Sequence, residues 1–202
     1  MSKNFEDIKR AMGKESTAIL DAVESLEEPA VERLLEAIIN CQGKLIFSGC
    51  GTSGAAGKKM AHTFSCVGRP GVFLEPSDAV HGGLGVVDEK DIVILLSKGG
   101  STAEINHLIQ PAKAKNAMVV GVTENPDSEL AKAADIFIKV KVKEEADSFD
   151  MLATSSIVGT IAVFDALAIK AGELTGFSKE RFSVIHPGGA VGERLLHKKL
   201  YD

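Results

Sequence analysis

Residues 91–96 read DIVILL and residues 117–122 read AMVVGV. Neither run alternates apolar with polar residues, so each predicts a strand covered on both faces, the condition of a parallel sheet. Apolar segments at 45–47, 71–74 and 136–142 predict three more strands. Helical patterns separate them, at 55–67, at 102–115 (Ile105, Leu108, Ile109 and Ala112 on one face) and at 128–134. Strands and helices in alternation predict an α/β fold, a doubly wound five-stranded parallel sheet flanked by helices. Ligands on such sheets bind beyond the carboxyl ends of the strands, so the loops there are where function is sought.

Two further helices precede the first strand. Residues 5–26 place Ile8, Met12, Ile19, Leu20 and Val23 on a stripe. Residues 29–42 place Val31, Leu34, Leu35, Ile38 and Ile39 at helical spacing. Between Met151 and Ile169 the only charge is Asp165, but Thr154, Ser155, Ser156, Gly159 and Thr160 make one end polar. This predicts a helix at about residues 150–171 buried in a globular core and not a membrane span. A short helix is expected from Ala190. The whole chain, residues 1–202, reads as one domain, with the helical pair at 1–42 packing on the core or serving oligomerisation.

The formal charge is −5 and the Lys and Arg residues form no basic run. That excludes a duplex nucleic-acid binder, which needs a clustered cationic face. Cys41, Cys50 and Cys66 are odd in number and lack a CxxC spacing, which suits free thiols in a reducing cytoplasm. The amino-terminal segment has no apolar secretory core.

Two loops carry chemistry. Ser48-Gly49-Cys50-Gly51-Thr52-Ser53-Gly54 joins the first strand to a helix, offering hydroxyls and close backbone approach. Its glycine spacing is wrong for a dinucleotide fingerprint. Ser97-Lys98-Gly99-Gly100-Ser101-Thr102 follows the DIVILL strand and opens a helix. Three hydroxyls, one ammonium and two glycines there suit a phosphate, with Ser101 or Thr102 also expected to cap the helix. The lysine precedes the glycines, so this is not a Walker loop.

These loops, together with Ala79-Val80-His81-Gly82-Gly83-Leu84-Gly85 and Ile185-His186-Pro187-Gly188-Gly189-Ala190, resemble the SIS (sugar isomerase) domain family over residues 30–197. The two histidine segments are most similar to its arabinose-5-phosphate isomerase branch. The resemblance implies a flavodoxin-like SIS fold and an aldose–ketose isomerase of a phosphorylated sugar, working through an enediol without a cofactor; a metal site of His81, His186 and Glu104 finds no support in an HxxxH or HExxH spacing. It implies a cytoplasmic homo-oligomer, a tetramer built from dimers with sites near subunit interfaces, and no nucleic-acid or membrane partner. That branch usually adds two C-terminal CBS modules, and none is present through Asp202. It carries a lysine in the first loop where this chain has Thr52; here Cys50-Gly51-Thr52-Ser53 looks like the matching loop of glucosamine-6-phosphate synthase isomerase domains.

On this reading Gly51, Thr52, Ser53, Ser97, Lys98, Gly99, Ser101 and Thr102 hold the phosphate. Glu104 and Glu145 match acidic positions of the branch and are candidates for proton transfer, with Glu144 leaving the second register open by one. His81 and His186, each exposed by neighbouring glycines, are candidates for ring opening, and one of them is expected to enter from a neighbouring subunit. His62, His107 and His197 read as structural or surface residues. A non-catalytic sugar-phosphate-sensing module and an amino-sugar phosphate isomerase remain as alternatives.

Overall fold

A computed structural model describes residues 2–188 and residue 194. The helix expected from Ala190, the Gly189-Ala190 end of the second histidine segment and His197 lie outside the described residues. The elements run α1 (Lys3–Ser25), α2 (Glu28–Asn40), β1 (Leu45–Gly49), α3 (Gly51–Cys66), β2 (Gly71–Phe73) and α4 (Pro76–Ala79). A 3₁₀ turn at Gly83–Val86 precedes β3 (Ile92–Leu96), α5 (Ala103–Asn106), α6 (Ile109–Ala114) and β4 (Met118–Thr123). Then come α7 (Glu129–Ala133), β5 (Ile136–Lys139), α8 (Ser155–Leu174) and α9 (Lys179–Ile185).

All five strands are parallel, in the order β2-β1-β3-β4-β5. The order reverses between β1 and β3, which opens a crevice at their carboxyl ends. Strand side chains alternate between two apolar layers. Leu45, Phe47, Ile92, Ile94, Val120 and Val122 face α2, α3 and α8. Ile46, Val93, Leu95 and Val119 face α4 through α7.

The predicted helix at 102–115 is two helices. Pro111 has no N–H to give to the carbonyl four residues back, and its ring crowds that carbonyl, so the chain turns at His107-Leu108 and restarts as α6. Conversely, α3 begins at Gly51, four residues before the predicted start at 55. Glycine is a poor helix former, but this helix start lies against β1: a β-carbon on Gly54 would stand 2.6 Å from the Gly49 carbonyl oxygen.

The long apolar helix is α8, starting at Ser155. It buries Gly159, Val163, Phe164, Leu167 and Ala171 and leaves Ile169 exposed. Among the described residues no helix is long and apolar enough to cross a membrane. α1 packs on α8 through its small residues Ala18 and Ala22, so Ile8, Met12, Leu20 and Val23 remain on the surface. The three cysteines are unpaired thiols.

Candidate functional site

The carboxyl ends of β3, β4 and β5 and the first turns of α3 and α8 border a cleft. Ser53 from the first turn of α3, Ser97 and Lys98 after β3, Thr123 and Glu124 after β4, and Ser156 at the start of α8 line it. The second loop is folded into a cup. Ser97 and Thr102 exchange a hydroxyl hydrogen bond at 2.9 Å, and the Gly100 N–H donates to the Ser97 carbonyl at 3.0 Å. Thr102 therefore occupies the cap position of α5 but spends its hydroxyl on Ser97, leaving the helix without the side-chain cap expected for it. The Lys98 carbonyl accepts from the Thr123 hydroxyl at 2.7 Å and from the Glu124 N–H at 2.9 Å, which fixes the loop to the end of β4.

Of the two adjacent glutamates, Glu145 is the buried one. Its side chain is 0% exposed, whereas Glu144 is at the surface beside Lys14, 2.6 Å away. The Lys98 ammonium donates to Glu145 Oε1 at 2.7 Å, and the Ser156 hydroxyl donates to the same oxygen. Glu145 Oε2 accepts from the N–H groups of Thr154 at 2.9 Å and Ser156 at 3.1 Å, and from the Thr154 hydroxyl at 3.4 Å. Burial by itself would raise this carboxyl, but the bonds from Lys98, Ser156 and the two backbone N–H groups outweigh it and hold the pKa down at about 2. The Lys98 ammonium is pushed down by burial and up, by more, by Glu145, Glu124 and Asp150; the net shift is upward.

Ser53, Ser97 and Lys98 thus share the lining of the cleft, and Glu145 joins them only through Lys98 and Ser156. Gly51 and Thr52 are exposed in the first turn of α3, and Gly99 and Ser101 are exposed on the rim of the second loop. Glu104 is exposed on α5; burial, and after it the nearby carboxylates of Glu104 and Glu75, push the Cys50 thiol up. His81 is exposed just after α4, which packs beside α5. His186 stands apart. Its ring lies on Phe182, with centroids 3.9 Å apart, and its Nε2 is 3.5 Å from the sulfur of Cys66. Cys66 ends the helix that carries Ser53 in its first turn, and about 20 Å of helix separates the two.

Thr123, Thr154 and Ser156 were not singled out from the sequence as site residues. The signal was present in the three consecutive hydroxyl residues 154–156, placed at the start of an otherwise apolar helix that follows a strand.

The family model described as SIS domain matches residues 38–170. The chain belongs to the SIS domain family. Arabinose 5-phosphate isomerase KdsD of Pseudomonas aeruginosa is 38% identical over 201 residues, covering 98% of this chain and 61% of that protein. The enzyme of the same name from Shigella flexneri is 42% identical over 161 residues, 80% of this chain and 49% of its own. This SIS chain therefore spans about half to three fifths of the length of these curated relatives. Among solved structures, a Listeria monocytogenes protein proposed to be a sugar-phosphate isomerase is 49% identical with a TM-score of 0.90, over 93% of this chain and 100% of that one. An Escherichia coli CFT073 protein in complex with arabinose 5-phosphate is 33% identical with a TM-score of 0.88, again over 93% and 100%.

Proposed function

We propose that this SIS chain interconverts the aldose and ketose forms of a phosphorylated sugar, with ribulose 5-phosphate and arabinose 5-phosphate as the pair of first choice. The observation that carries the reading is the convergence of Ser53, Ser97 and Lys98 on one cleft at the carboxyl ends of β3, β4 and β5, with the buried Glu145 bonded to Lys98 and Ser156 of its lining. The phosphate ester is held by the hydroxyls of Thr52, Ser53, Ser97, Ser101 and Thr102 with Lys98, where Gly51 and Gly99 let the backbone approach. Isomerisation removes a proton from the carbon beside the carbonyl, forms an enediol and returns a proton to the neighbouring carbon. Glu104 and Glu145 are the carboxylates assigned to these transfers, and His81 to opening the sugar ring. His186 reaches a site only in a neighbouring copy, because its own chain holds it at the far end of α3. The assembly proposed is a cytoplasmic homotetramer, a dimer of dimers, with sites near the subunit interfaces.

A second reading is favoured by two observations. Thr52 replaces the lysine of the arabinose-5-phosphate branch, and the Glu145 carboxylate is already saturated with donors. A chain that binds sugar phosphate without turning it over would show both. A panel of pentose and hexose phosphates, assayed for aldose–ketose conversion and for thermal stabilisation beside the free sugars, separates the two. Turnover supports the isomerase; tight binding without turnover on any sugar supports the sensor. Equal stabilisation by the unphosphorylated sugars removes both.

A further inference from the structure

The proposed function asks two things of one pair of residues. Lys98 is to meet a phosphate, and Glu145 is to take a proton, yet the two are bound to each other at 2.7 Å. The surroundings show which partner is able to leave. Glu145 is 0% exposed and has four donors besides Lys98, all from Thr154 and Ser156 at the start of α8. The Lys98 side chain is 39% exposed, and its backbone carbonyl is anchored by Thr123 and Glu124. Its ammonium therefore sits on a flexible four-carbon stem with a fixed base, whereas the carboxylate is clamped.

Among the described residues that line the cleft, Lys98 is the only cation, and it shares that lining with Ser53 and Ser97. A phosphate ester bound there carries close to two negative charges at neutral pH against the single charge of Glu145.

We propose that Lys98 is a phosphate-operated positioning residue, whose ammonium is drawn off Glu145 by an incoming phosphate ester so that the Glu145 carboxylate is left in place, short of its cation and able to accept a proton. This rests on the reading of the cleft as a sugar-phosphate site. The resting chain keeps Glu145 ionised and unreactive, and the phosphate end of the substrate arms it. Loss of the ammonium leaves the carboxylate in a buried setting that disfavours its charge. The other charged groups facing the pair are Glu124, from the loop after β4, and Asp150, whose carboxylate accepts the Glu145 N–H at 2.6 Å. Both are anionic and act in the same direction as the phosphate, while the amino-terminal end of α8 opposes them.

The test uses inorganic phosphate and needs no turnover. Protein labelled with ¹³C at the glutamate side-chain carboxyl is titrated by NMR with and without saturating phosphate, the Glu145 signal being assigned by its loss in Glu145→Gln. The free wild-type chain should show no Glu145 titration above about pH 4, and phosphate should raise its midpoint by about 1–3 pH units. In Lys98→Met the midpoint should already be raised without phosphate, and phosphate should add less. A simple structural tie between the loops does not move with phosphate. Phosphate that shifts the amide signals of Ser97 and Gly100 but leaves the wild-type Glu145 midpoint unchanged overturns the proposal and leaves the proposed function standing. Absence of binding by both phosphate and every sugar phosphate removes the site itself, and the proposal with it.

Discussion

Gly100, at φ +70°, faces Ser128 so closely that a β-carbon on it would overlap the serine side chain and stand 3.0 Å from the Thr123 hydroxyl. Ser128 cannot yield easily, because its hydroxyl donates to the Asn125 carbonyl at 2.8 Å and accepts the Ala131 N–H at 3.2 Å as the cap of α7. The loop after β3 is thus fitted to the loop after β4 through a residue with no side chain.

Gly100→Ala should therefore cost about 3 kcal/mol or more, from left-handed backbone strain added to overlap, and should weaken phosphate binding. Gly51 is the control. It too has a positive φ, +55°, but nothing lies within 4 Å of where its β-carbon would be. Gly51→Ala should cost about 1–2 kcal/mol, the backbone contribution alone. Urea unfolding of both variants measures the difference; equal losses would show that Ser128 moves aside.

Asp91 fastens the other end of the sheet. It is 2% exposed, and its carboxylate accepts the Lys44 N–H at 2.8 Å, the Lys44 ammonium at 2.6 Å and the Asp88 N–H at 2.7 Å. Asp91→Ala leaves two backbone donors and a cation without their acceptor and should cost about 3 kcal/mol. The site is at the opposite ends of the strands, so affinity for a phosphate ester should be unchanged. Calorimetric Tm beside a binding isotherm checks both halves.

The strands were legible because unbroken apolar runs have few other uses in a chain with this much helix. The helix ends were less so. Apolar spacing carried the reading straight through Pro111, and the glycines at 49, 51 and 54 looked like a loop when two of them lie in the first turn of α3. That Ser53 and Ser97 would lie at strand ends was legible from their position after apolar runs. The pairing of Lys98 with Glu145 was not, because 47 residues separate them and only the sheet order brings β3 and β5 to either side of β4. Nor could spacing choose between Glu144 and Glu145, which differ in burial and not in chemistry.

The buried carboxylate also sets a pH dependence. Glu145 has its pKa lowered from an ordinary 4.5 to about 2 by folding. A lowered carboxylate contributes stability that is fully present above the unfolded value and is lost as pH falls through the folded one. Between pH 5 and pH 2 the chain should lose about 3 kcal/mol through this residue. Glu145→Gln, starting from a lower stability at pH 7, should show a shallower fall. Parallel curves for the two proteins would mean that Glu145 titrates normally.

The exposed face of α1 bears on whether one chain suffices for activity. Ile8, Met12, Leu20 and Val23 are all on the surface, and Val23 also lines a groove between α1, α2 and α8 with Ile19 and the half-buried Val31. Exposed apolar side chains on one helix fit the homo-oligomer proposed above, in which a second copy would cover them. Within its own chain His186 is about 20 Å of helix away from Ser53, so its use as a catalytic group requires a second copy. Met12→Glu combined with Leu20→Glu should shift the assembly to smaller species in light scattering without unfolding it, since neither side chain belongs to the core. If His186 serves a neighbouring site, turnover should fall with dissociation by about 10²-fold or more, the scale expected for losing an acid–base group. Binding of inorganic phosphate should persist, because Ser53, Ser97 and Lys98 come from one chain. Full turnover in a dissociated variant would show that each chain works alone and would remove His186 from the site.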